Sequence, residues 1–79
     1  MTPDVYTLDA APANTPLRVD RINGGIGIRR KLNSLGIHSG DTVRVVRSGF
    51  MGGPILISIH SMEVALGRGM ARSISVRAL

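Results

Sequence analysis

Cysteine and tryptophan are missing from this 79-residue chain, and phenylalanine and tyrosine occur once each. Without cysteine, neither a disulfide nor a zinc knuckle can brace a small fold, and a reducing compartment suits the chain. With so few aromatics, the core falls to Ile, Leu, Val and Met, and a nucleic acid base finds almost nothing to stack on. Acids are scarce as well: nine arginines and one lysine stand against five acids, for a net charge of +5. No apolar run approaches the ~20 residues that span a bilayer, so membrane insertion is not expected. The N-terminus also lacks the basic-then-apolar order of a signal peptide. What these absences leave is one small, soluble, cytoplasmic domain, able to bury roughly 60% of its unfolded surface.

Catalytic patterns are absent too. No serine has a histidine and an acid nearby in a pattern that suggests a triad, and Asp20, Asp41 and Glu63 are widely spaced. Asp41 follows Gly40, where a turn favours a short acceptor side chain. The stretch Gly25-Ile26-Gly27-Ile28-Arg29-Arg30 resembles a dinucleotide fingerprint, yet Arg30 stands at the third glycine position and no βαβ unit follows. A non-enzyme without a cofactor is the expectation. His60 and Glu63 flank a tight turn and could share a metal ion, and His38 sits on another turn, but neither cluster supplies three or four ligands. Whether any metal binds is left open.

What the chain does have is a well-marked helix, stop and strand. Ile28, Leu32 and Leu35 form an apolar face over a helix spanning 26–35, while Arg29, Arg30 and Lys31 point away. Gly36 stands where a left-handed C-terminal cap belongs, and Ile37 can fold back onto Leu32. Ahead of the helix, Leu17 to Ile22 reads as a first strand in which Ile22 is out of phase with Leu17 and Val19. A bulge near Asp20 and Arg21 would reconcile them. Residues 1–16 carry Pro3, Pro12 and Pro16, which forbid a regular element over most of that stretch, and only Val5, Tyr6 and Leu8 look able to dock on a core.

Four short β runs follow, over 42–47, 54–59, 63–66 and 73–77, with a single helical turn over 67–71 before the last. Five strands of four to seven residues cannot bury their β-branched faces as a flat sheet. The fold expected is mainly β: a small five-stranded SH3-like barrel with one α-helix inserted after the first strand and a one-turn helix before the last. The last strand and the glycine-rich loop over 49–53 are the edges expected to be open for self-association. Phe50 and Met51, at the tip of that loop, either contact a partner or fold back to cap the barrel.

The order Arg30-x-Leu32-x-x-Leu35-Gly36-Ile37-x-x-Gly40-x-x-Val43-x-Val45, then Gly53-Pro54, Val64-Ala65-Leu66, Ala71 and Ile74-x-Val76, resembles the ferrous iron transport protein A (FeoA) family. The resemblance covers residues 17–78, which makes 17–79 an SH3-like FeoA-type domain behind a partly ordered N-terminal segment, 1–16. It departs from the family in the Ala- and Pro-rich stretch from Ala10 to Pro16, and at Gly67, which intervenes before Arg68. Family members are stand-alone bacterial cytoplasmic proteins, and the same module forms the C-terminal domain of certain metal-dependent repressors.

The resemblance implies an accessory role in ferrous iron uptake, acting on the FeoB membrane transporter at its cytoplasmic GTP-binding region. It thereby implies a place at the inner face of the membrane through that partner. The family supplies no ligand residues to transfer. From the residues themselves, the partner surface is expected at Phe50, Met51, Arg29, Arg30 and Lys31. A rival is an RNA-binding barrel, since 40–49 with Gly52-Gly53 resembles a KOW motif. That motif usually has lysines where this loop has Phe50 and Met51, so nucleic acid is the weaker expectation. A third reading is a stand-alone relative of the repressor domain, with no DNA-binding helices ahead of the barrel.

Overall fold

The computed structural model describes residues 5–49 and 52–79. In chain order it contains β1 (Val5–Thr7), a 3₁₀ turn (Leu8–Ala10), β2 (Leu17–Ile22), α1 (Ile26–Ser34), β3 (Thr42–Ser48), β4 (Ile55–Ile59), β5 (Met62–Leu66), α2 (Arg68–Arg72) and β6 (Ile74–Ala78). The six strands form one antiparallel sheet in the order β1-β6-β2-β3-β4-β5. Alternation along each strand turns one set of side chains inward. Leu17 and Val19, Val43 and Val45, Ile55, Ile57 and Ile59, Leu66, and Ile74 and Val76 all join a single buried cluster. Because residues from five strands meet in one core, the sheet has to curl around it, as an SH3-like domain does. No polar or charged residue is buried among those described.

The curling is helped at two bulges. Pairing of β2 with β6 slips between Val19 and Arg21, so Asp20 is the extra residue and Ile22 regains the inner side. The phase break read from the sequence is this bulge. A second slip, between Val45 and Arg47, bends β3 against β4. There the chain before β2 comes alongside: Ala13 bridges to Val45, and the Asn14 N–H donates to the Val45 carbonyl (2.7 Å).

The strand count and the sheet edges correct the expectation. A sixth strand, Val5–Thr7, pairs with β6 through Tyr6↔Val76, ahead of the prolines that suppress regular structure further on. The residue after it, Leu8, is 1% exposed, so this short segment contributes to the core. Val5 does not: it is an exposed edge residue. β6 therefore lies between β1 and β2 and is not an edge, and the outer strands are β1 and β5.

The helix behaves as its sequence indicates. Leu32 is fully buried, Ile28 and Leu35 pack partly against the core, and Arg29, Arg30 and Lys31 are exposed. Its end is a Schellman cap. The Gly36 N–H donates to the Asn33 carbonyl (3.0 Å), and the Ile37 N–H donates to the Leu32 carbonyl (2.9 Å). Gly36 has φ +82°, a conformation that costs an L-residue roughly 1–2 kcal/mol. Ile37, 1% exposed, lands in the core beside Leu32 and turns the chain toward β3.

Candidate functional site

The bulge in β2 and the lead-in to α1 together shape an open depression in the surface. Past the bulge, the Asn23 N–H donates to the Ser73 carbonyl (2.6 Å) and its side-chain amide donates to Ser75 Oγ (3.0 Å). These two bonds anchor the end of β2 to β6 while the chain swings into α1. Arg29 Nε then reaches back to the Gly24 carbonyl (3.3 Å), which holds its guanidinium at the rim. The result is an open groove of about 770 Å³ between β2 and α1, walled by Asp20, Arg21, Asn23, Arg29, Arg30 and Asn33. Its volume lies within the ~300–1,000 Å³ usual for binding pockets.

One end of the groove is closed by the turn that follows the helix cap. There the His38 N–H donates to Asp41 Oδ2 (2.7 Å), and His38 Nε2 donates to Asn33 Oδ1 (2.6 Å). His60, from the β4–β5 turn, approaches the same carboxylate oxygen (3.5 Å) and donates to the Gly36 carbonyl (3.2 Å). Asp41 is thus a hub that binds two turns together, as its place after Gly40 suggests. The His60–Glu63 pairing considered for a metal ion does not form this cluster, because Glu63 faces Ser58 across β4 while His60 turns to Asp41. Among the described residues no three His, Cys, Asp or Glu side chains are arranged to hold a metal.

The expected partner surface divides. Arg29 and Arg30 line the groove; Lys31 is exposed on the same helix but outside the lining. Phe50 and Met51 lie outside the described residues. The base of their loop is narrow: a Cβ on Gly49 would overlap the Pro54 carbonyl oxygen, so only glycine fits there. Arg68 Nη2 donates to the Gly49 carbonyl (3.0 Å), tying that base to the start of α2. Arg21, Asn23, Asn33 and His38 were not singled out as a surface. For Arg21 the phase break at Asp20 was the signal, since the bulge re-aims the residues after it.

A curled antiparallel sheet around one apolar core, with a helix inserted between its second and third strands, defines an SH3-like module. A family model described as the FeoA domain matches residues 6–78. The chain belongs to the FeoA family. A Methanocaldococcus jannaschii relative named Fe(2+) transport protein A is 35% identical over 72 residues, covering 91% of this chain and 85% of that protein. A crystal structure described as the iron uptake regulatory protein FeoA is 36% identical with a TM-score of 0.85, covering 95% of this chain and 97% of the other. A manganese-dependent transcriptional repressor is 30% identical with a TM-score of 0.89 over 100% of this chain, but only 44% of the repressor. The module thus matches both small stand-alone chains and one portion of a longer regulator.

Proposed function

We propose that this chain is a non-catalytic accessory protein of ferrous iron uptake that acts by binding the cytoplasmic GTP-binding region of an FeoB-type transporter. The observation that carries this reading is the FeoA-domain match across 6–78, joined by a relative of comparable length named for Fe(2+) transport. Both histidines are engaged in holding turns together, which suits a scaffold better than proton-transfer chemistry. Among the described residues no helix is long and apolar enough to cross a membrane. Attachment at the inner face of the membrane would come through the partner.

Phe50 and Met51 are proposed as partner contacts on the sequence alone, because an apolar pair in a glycine-flanked stretch gains by burial against another protein. Calorimetric titration of the whole chain into the purified GTP-binding region should give saturable binding, and Phe50→Ser with Met51→Ser should weaken it at least tenfold while the far-UV spectrum is unchanged. Heat changes indistinguishable from dilution with the unaltered chain would reject the reading.

A further inference from the structure

We infer that the groove between β2 and α1 is a docking channel for an extended, acidic segment of a protein partner. This rests on the reading that the chain works by binding, and it names the chemistry of what is bound. Three guanidinium groups, those of Arg21, Arg29 and Arg30, line the channel. Among the described residues none of the three pairs with a carboxylate. The one acid in the lining, Asp20, is engaged by Arg77 Nε at 3.5 Å. Among the described residues the channel's positive charge is therefore uncompensated, and its complement is a row of carboxylates.

One of the three guanidinium groups is also tethered to the backbone. Arg29 is held by the Gly24 carbonyl, and Arg30 shares its rigid helix. Asn33 accepts the His38 proton on Oδ1, which leaves its amide protons to donate to a peptide carbonyl. The planar guanidinium fork takes carboxylates bidentately and loses less entropy per hydrogen bond than a flexible ammonium does. Ile22, half-buried in the same lining, offers an apolar surface between the charged contacts.

A nucleic acid fits this channel less well. Among the described residues no Phe, Tyr or Trp stands in the lining to stack a base. A polypeptide in which acids alternate with small apolar residues satisfies both the arginines and Ile22.

The test titrates the ¹⁵N-labelled whole chain with the synthetic peptide acetyl-Glu-Val-Glu-Val-Glu-amide and, in parallel, with a six-nucleotide RNA. In a second arm, binding to the transporter's GTP-binding region is measured for the unaltered chain, for Arg21→Glu with Arg30→Glu, and for Arg44→Glu. Arg44 is an exposed arginine on β3 outside the channel and serves as the charge-matched control. The expected result is amide shifts from the peptide confined to residues 20–23, 29–33 and 37–39, with at least tenfold weaker transporter binding for the double variant and less than twofold change for Arg44→Glu. If the double variant binds the transporter as the unaltered chain does, the channel is not the docking site and the proposed function stands. If the unaltered chain does not bind the transporter, both fall. RNA that shifts the same amides at lower concentration than the peptide would replace the acidic peptide with a nucleic acid and overturn the inference.

Discussion

Two turns in this protein make the same demand on the backbone and meet it differently. At the end of α1 the chain takes a positive φ at Gly36, where the absence of a Cβ removes the penalty. Between β4 and β5 the two-residue loop is His60-Ser61, with φ of 52° and 63°, a type I′ geometry that ordinarily takes Asn-Gly. No glycine relieves it. The loop is imposed from outside: five consecutive β4–β5 pairs set its ends, and His60 is held by the Gly36 carbonyl and Asp41. The two turns touch each other, so the low-strain one supports the strained one. A turn written in glycine can be read locally, whereas a turn written in ordinary residues is enforced by its surroundings.

The largest effect should come from removing what the helix cap rests on. Leu32→Ala empties a fully buried position that both packs the helix and receives Ile37, and should destabilise by about 3 kcal/mol, read as a shift in urea midpoint with unchanged m-value. Gly36→Ala is next. Open space surrounds the added Cβ, so only the backbone conformation is penalised, and a loss of roughly 1–2 kcal/mol is expected in the same measurement. If that variant unfolds at the parent midpoint, the cap is not held in the left-handed region. The smallest effect has the opposite sign. Ser61→Gly relieves a strained residue and should stabilise by about 0.5 kcal/mol; a loss instead would mean that the turn is not strained and that the two turns are alike.

Legibility followed the range of the forces involved. The helix, its cap and the strand after it were readable because periodicity, a glycine and a returning apolar residue act within ten positions of one another. The bulge at Asp20 was readable because the wrong phase of Ile22 is itself a local signal. The strand Val5–Thr7 was not, because three residues beside a proline-rich stretch carry no period, and only β6 makes them a strand. The same pairing is why the last strand, expected at an edge, lies inside the sheet. At the candidate site, Arg29 and Arg30 were visible as the outward side of a helix. Arg21 was not, since its approach to them depends on how β2 bends and where α1 sits.

By itself, the sequence determined the class of this protein. An apolar core of Ile, Leu and Val, short alternating runs, a capped helix and a basic surface are properties of neighbouring residues, and local physics decides them. The order of the strands, the engagement of Asp41 by two histidines 22 residues apart and the groove that gathers Arg21 with Arg29 and Arg30 were decided by tertiary structure alone. Each of these depends on how the sheet curls and where the helix sits, and the strand order and the His60–Asp41 contact join residues far apart in the chain. That is a property of packing, and no window of sequence contains it.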